Sequence, residues 1–349
     1  MTNNKKHAVI VAGGTGGHIY PALAFAKRWQ TLGHAISWIG TKQGLEASIV
    51  PKQNIPLFFI TVKGVRRSKI LAQVCAFGMA LYAICQAMRL LRRLKPDVVL
   101  GMGGYVSGPS ILAARCLNIP VVIHEQNAVA GKTNQLVARF SQKILTAFPN
   151  VLTRYKPIVT GNPVRAELTA LMPKSHPHQP MRVLILGGSR GASRLNKILP
   201  ELLMHISEIE IWHQTGEQHL EETKKRYQPY KISAYIDDMA EAYAWADVII
   251  CRSGAMTVFE IMSAGRPAIF VPYPYAVDDH QTANAKFLID RSAGMLIQEN
   301  ELSVDKLKHF LDALKEELNY QRYARNVYAH RIINADVALV DACLGVIKS

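Results

Sequence analysis

Histidine 18 stands behind four glycines in VAGGTGGHI, residues 11–19. A glycine turn of this kind points backbone N–H groups, and the positive end of a following helix, at a phosphate or a developing negative charge. An imidazole near its ordinary pKa of about 6.5 accepts a proton at neutral pH, so His18 is the first candidate for a general base. Glu125, in HEQN at 124–127, is the rival carboxylate, and a structural histidine is the plain alternative. A second concentration lies in CRSGAMTVFE at 251–260. A turn at 252–255 leads into a helix whose free N–H groups suit a diphosphate, and Glu260 offers acceptor oxygens for two hydroxyls of a ribose. The plain alternative makes Glu260 a first-turn partner of the helix dipole, worth about 0.3–1 kcal/mol.

The elements that must hold these residues follow from the flanking letters. Ala8-Val9-Ile10-Val11 is short, β-branched and uncharged, as in a buried parallel strand, and YPALAFAKRWQTLG has helical spacing and ends in glycine. The turn between them is no Walker loop, because no lysine follows. A dinucleotide fingerprint from Gly14 would need glycine where Ile19 stands. The next strand, AISWIG, is followed by Thr41-Lys42 without an acid for a ribose, so a nicotinamide enzyme is not expected.

The plan recurs in MRVLILGGSRGASRLNKILPELL, with a strand at 183–186, a turn at 187–191 and a helix from Ala192. Two such units predict an α/β chain of two doubly wound parallel sheets with a ligand between them. Between the repeats, PDVVLGMGGYVSGPSILAARCLNIPVVIHEQN predicts a strand at 98–100, a glycine turn at 101–104, a helix, and a strand at 121–124. That strand delivers Glu125, Gln126 and Asn127 at its carboxyl end, where open sheets bind ligands. Gly161, Asn162 and Pro163 mark a boundary, giving domains 1–162 and 163–335, and KSHPHQP at 174–180 reads as a surface loop.

Composition narrows the class. With 349 residues, 49% hydrophobic and 19% charged, the chain is globular and long enough for two cores. The opening MTNNKKHAVIVAGG lacks the apolar core and cleavage site of a secretory signal, and five scattered cysteines suggest reduced thiols in a cytosolic setting. The net charge of +15 is uneven: residues 1–96 carry fourteen Lys/Arg and one acid, Glu46. Such a field invites phosphates or an anionic membrane. Nucleic acid is not expected, since no recognition motif accompanies the charge. Residues 70–88 are nineteen uncharged residues between basic flanks, read as an amphipathic helix at an anionic lipid surface rather than a span. A buried helix with a basic end is the alternative.

GGTGGH, GMGGYVSGP, HEQN, GNPVR, GGSRGA, YIDDMA, CRSGAMTVFE and DDHQTANA, in this order from Val9 to about Asn284, together resemble the MurG family. That family uses UDP-N-acetylglucosamine to convert lipid I to lipid II in bacterial cell-wall synthesis. The resemblance implies the GT-B architecture, two Rossmann-like domains with an interdomain cleft. The acceptor and membrane would meet the N-terminal domain, the nucleotide would lie in the C-terminal one, and helix 336–349 would pack back on the first. It further implies that the backbone at Ile236 meets the uracil and Glu260 the ribose. Ser189, Arg165 and the helix start Ala255, Met256 and Thr257 would serve the diphosphate, with Val258 and Phe259 also among the substrate-binding residues. Asn127 and Gln281 would bind sugar hydroxyls, and Thr15, Gly16 and Gly17 would approach the donor. Arg190 departs from the family's glutamine. The expected location is the cytoplasmic face of the inner membrane, peripherally bound, with cell-wall synthesis proteins as further partners. No Asp-x-Asp pair occurs, so no obligatory metal is expected and magnesium is at most stimulatory. The alternatives are a UDP-N-acetylglucosamine 2-epimerase, which has no need of the basic, apolar segment 63–95, and a membrane scaffold without chemistry.

Overall fold

The computed structural model describes residues 5–62, 70–187, 192–226 and 230–347. The chain divides into two compact units, Met1–Pro163 with Asn334–Ser349, and Val164–Ile333. The first runs β1 (His7–Ala12), α1 (Gly16–Thr31), β2 (Ala35–Gly40), α2 (Glu46–Ile49), β3 (Leu57–Phe59), α3 (Ile70–Leu94) and β4 (Val98–Gly103). It continues with α4 (Ser107–Cys116), β5 (Val121–Glu125), α5 (Lys132–Val137), β6 (Lys143–Thr146) and β7 (Ile158–Val159). The second unit opens with α6 (Ala166–Thr169), β8 (Met181–Leu186), α7 (Ser193–Leu203), β9 (Ile209–Gln214), α8 (Leu220–Arg226) and β10 (Lys231–Ser233). It then runs α9 (Met239–Trp245), β11 (Val248–Cys251), α10 (Ala255–Ala264), β12 (Ala268–Phe270), α11 (His280–Ile289), β13 (Met295–Leu296), α12 (Val304–Lys315) and α13 (Glu317–Ala329). A last helix, α14 (Ala335–Leu344), returns to the first unit and packs on α1.

Both sheets are parallel, in the orders β3-β2-β1-β4-β5-β6-β7 and β10-β9-β8-β11-β12-β13. The order reverses between β1 and β4 and between β8 and β11, and turns leaving neighbouring strands diverge there to make a crevice at the carboxyl ends. Helices cover both faces of the first sheet, which explains why β1 reads as an unbroken apolar run. Ala8, Ile10 and Ala12 pack with Trp29 of α1 and Leu339 of α14, while Val9 and Val11 pack with Leu91 of α3 and Ile111 of α4.

One sequence expectation changes. The strand predicted at 98–100 runs on to Gly103, pairing with β1 as far as Ala12, and Gly101 within it has no room for a side chain, since Ile111 Cδ1 would sit 2.6 Å from a Cβ there. The glycine turn therefore begins at Gly103 and Gly104, both with positive φ. The described part of α3 has one buried face and one exposed face. It buries Ala83, Ala87 and Leu91 at four-residue spacing, with Gln86 accepting the Thr61 N–H at 2.8 Å, and exposes Met79, Leu81 and Tyr82. Among the described residues no helix is long and apolar enough to cross a membrane.

Candidate active site

In the first unit the turn after β1 carries Thr15 at the N-cap of α1, then Gly16, Gly17 and His18 in its first turn. His18 is half-buried, and its Nδ1 lies 3.2 Å from the Gly13 carbonyl and 3.3 Å from Thr15 Oγ1. A carbonyl only accepts, so the contact reads as Nδ1–H donation and places the ring lone pair on Nε2. The turn after β4 interlocks with this one. A Cβ on Gly103 would come 2.9 Å from His18 Cδ2, and one on Gly104 would collide with the Gly13 carbonyl oxygen. Ser107 sits between the two strands: its hydroxyl lies 2.7 Å from Gly103 O and 3.1 Å from Val11 O, with one proton to give, and accepts from Gly103 N–H at 3.1 Å.

The HEQN residues end β5. His124 is fully buried: Nε2–H donates to Gly161 O at 3.0 Å, and Nδ1 accepts from the Gln126 amide at 3.1 Å. Burial lowers its pKa to about 4, so it is a neutral structural imidazole. Glu125, the rival candidate base, is engaged within its own loop. It is 2% exposed, and its oxygens accept from Asn127 N–H (3.0 Å), Asn127 Nδ2 (3.3 Å), Gly131 N–H (2.9 Å) and Asn134 Nδ2 (2.8 Å). A carboxylate occupied in this way clamps the loop and orients Asn127.

In the second unit Glu260 lies in the second turn of α10, outside the first turn that a simple dipole partner would occupy. It is half-buried and accepts from the Tyr243 hydroxyl at 3.1 Å. Burial raises its pKa, while Arg165 and the Tyr243 hydroxyl offset part of that rise. Burial and Glu260 push the Tyr243 phenol well above its ordinary value, which keeps it a donor. Arg165, exposed, precedes α6, which packs on α10.

Gly254 caps α10 without a side-chain hydrogen bond, so the N–H groups of Ala255, Met256 and Thr257 form its open end. Val258 and Phe259 are core residues, 0% and 1% exposed, and Val258 N–H is bonded to Gly254 O at 3.1 Å. Their side chains seat α10 against the core. Arg252 is committed elsewhere, donating to Val271 O (3.2 Å), Pro272 O (2.9 Å) and Glu299. Gln281, in the first turn of α11, accepts from Tyr273 N–H at 2.9 Å through Oε1, so its –NH2 is what it can offer a ligand. Ile236 is half-buried in the loop between β10 and α9. Ser189 lies outside the described residues.

The structure thus groups Thr15, Gly16, Gly17 and His18 in one turn, Glu125 and Asn127 at the end of β5, and Arg165, Glu260 and the α10 start in the other unit. Sequence reasoning missed Tyr243, Asn134 and Gly103 as their supports. Only the glycine run around Gly103 carried a signal.

Two doubly wound units, one with a histidine at a glycine turn and the other with a bare helix start beside a carboxylate, define the GT-B class of nucleotide-sugar transferases. Residues 8–146 match the glycosyltransferase family 28 N-terminal domain and residues 182–335 the family 28 C-terminal domain. A UDP-N-acetylglucosamine–N-acetylmuramyl-(pentapeptide) pyrophosphoryl-undecaprenol N-acetylglucosamine transferase of Pseudoalteromonas translucida is 43% identical, over 97% of each chain. One from Shewanella oneidensis is 40% identical, over 99% of this chain and 98% of its own. The crystal structure of Acinetobacter baumannii MurG superposes with TM-score 0.82 at 40% identity, covering 97% of this chain and 99% of that one. The calicheamicin glycosyltransferase CalG4, at 14% identity and TM-score 0.71, shares the fold. The chain belongs to the MurG family of UDP-sugar glycosyltransferases.

Proposed function

We propose that this protein moves N-acetylglucosamine from UDP-N-acetylglucosamine to the C4 hydroxyl of the N-acetylmuramoyl unit of lipid I, forming lipid II with inversion. The observation that carries the reading is the near full-length identity to relatives named for this transfer. Those relatives are transferases, and the epimerase alternative gains no support from them.

The acceptor oxygen attacks the anomeric carbon, the bond from that carbon to the diphosphate oxygen breaks, and UDP leaves. His18 Nε2 takes the hydroxyl proton, its lone pair placed there by Nδ1–H donation to Gly13. The N–H groups at Ala255–Thr257, Arg165 and Ser189 receive the charge that builds on the diphosphate. Glu260 accepts from the ribose hydroxyls, the Ile236 backbone meets the uracil, Asn127 and Gln281 hold the sugar, and Thr15, Gly16 and Gly17 approach the donor. Cationic and helix-end stabilisation makes a bound metal unnecessary to the step, with magnesium at most stimulatory.

The first unit receives the lipid acceptor and rests on the anionic cytoplasmic face of the membrane. Exposed Met79, Leu81 and Tyr82, with Arg89, Arg92 and Arg93 further along α3, support this reading. Cell-wall synthesis proteins are its further partners.

The deciding experiment measures UDP release with and without a lipid I analogue and identifies the sugar products. Acceptor-dependent release with a new disaccharide lipid is expected. Free N-acetylmannosamine and UDP without acceptor would install the epimerase instead, and no turnover would leave only a scaffold.

A further inference from the structure

The single acid of residues 1–96 is buried beneath the candidate catalytic turn. Glu46 is 0% exposed and forms no ion pair with a described cation. A buried carboxylate is costly unless hydrogen-bond donors satisfy it. Here Oε1 accepts from Thr41 N–H and Thr41 Oγ1–H, both at 2.8 Å, and Oε2 accepts from Gly14 N–H at 3.0 Å. Three glycines make room for it. A Cβ on Gly13 would lie 2.6 Å from Glu46 Oε1, one on Gly40 would lie 2.6 Å from its Cγ, and one on Gly44 would overlap its carboxylate.

The Gly14 N–H and the Gly13 carbonyl belong to one peptide group, which is planar and trans, so its two ends point in opposite directions. At one end the N–H meets Glu46, and at the other the carbonyl meets His18 Nδ1. We propose that Glu46 is the positioning residue for His18, acting through this peptide: Glu46 Oε2 to Gly14 N–H, then Gly13 C=O to His18 Nδ1–H. Gly14 has φ +94, a conformation without strong local preference in glycine, so the plane needs an external hold. A carboxylate on the N–H also polarises the peptide and strengthens its carbonyl as an acceptor. The imidazole is thereby kept in the Nδ1–H tautomer with the base lone pair on Nε2. The inference rests on the transfer function proposed for His18.

The test compares the full-length protein with Glu46→Gln and Glu46→Asp. Glutamine has one acceptor atom and must set its own –NH2 against Gly14 N–H or Thr41 N–H. Aspartate keeps the charge but is one methylene too short to reach both. Expected for Glu46→Gln is a kcat lowered on the order of 100-fold, with the KM for UDP-N-acetylglucosamine within about twofold. The ¹⁵N resonances of His18 should show the Nδ1–H tautomer giving way to a mixture. Glu46→Asp should show a smaller loss in the same direction. A folded Glu46→Gln protein with unchanged kcat or an unchanged tautomer overturns the proposal, and so does failure of both variants to fold, which assigns Glu46 to stability alone. If the wild type shows no acceptor-dependent UDP release the transfer reading fails separately, and the tautomer measurement still decides whether Glu46 sets the ring.

Discussion

Glu260 is read as ionised when it binds a ribose, yet burial raises its pKa and only Arg165 and the Tyr243 hydroxyl oppose that rise. Donor affinity is therefore expected to fall as pH drops through this raised value. Tyr243→Phe removes one of the opposing contributions, so the fall should begin at higher pH, read by calorimetric titration with UDP across the acid range. Glu260→Ala removes charged hydrogen bonds worth about 1.5–3 kcal/mol, a loss of roughly 10- to 150-fold in donor affinity at neutral pH. Unchanged affinity would take Glu260 out of the site. His18→Ala is expected to abolish transfer and leave UDP binding intact, and retained turnover would shift the base elsewhere. His124 contributes nothing to a neutral pH profile, because its pKa of about 4 keeps it neutral there.

At the level of elements, the connection into β8 is pinned by one buried side chain. Asp247, just before β11, accepts from Lys174 Nζ (2.9 Å), His178 N–H (2.9 Å), His178 Nδ1 (2.8 Å) and Arg182 N–H (2.9 Å). Burial would raise its pKa, but the Arg182 N–H, Lys174 and His178 outweigh that and hold it below the usual range. An acid depressed in the folded state adds stability above its unfolded pKa of about 3.9, and that stability is lost as pH falls through the folded value. Asp247→Asn is expected to cost about 3 kcal/mol at neutral pH in urea unfolding, with the gap to wild type closing in strong acid. The exposed end of α3 makes a separate prediction. Charge reversal at Arg89, Arg92 and Arg93 should lower binding to anionic vesicles with only a small fall in melting temperature, since all three are exposed but Arg92 and Arg93 sit in the last turn of α3 and Arg93 lies over Phe58. Undiminished binding would move the membrane contact off this helix.

Across the whole molecule, the first unit is completed by residues from the far end of the chain. Leu339, Val340 and Cys343 of α14 share a core with Ile10, Phe25 and Trp29. Leu339→Ala should cost about 2–5 kcal/mol and lower the first unit's unfolding transition while the second unit's stays in place, since two separate cores need not unfold together. A single shifted transition would show that the cores unfold as one.

Much of this architecture was legible in the letters, because it is local. The run 8–11, the glycines after it and the helical spacing that follows each reflect a preference of neighbouring residues, and the same grammar at 181–203 exposed the repeat. His18 and Glu260 stood out as candidates because each is a reactive side chain placed by a glycine-marked turn. Tertiary structure alone decided who holds them. Glu46 reaches Gly14 across 32 positions, Tyr243 reaches Glu260 across 17, and His124 reaches Gly161 across 37. It also decided that Glu125 is hydrogen-bonded inside its loop and that the Val258 and Phe259 side chains face the core. These pairings depend on the strand order that sets β1 beside β4 and β8 beside β11. A periodic pattern states which face of an element is buried, but not which distant element will cover it.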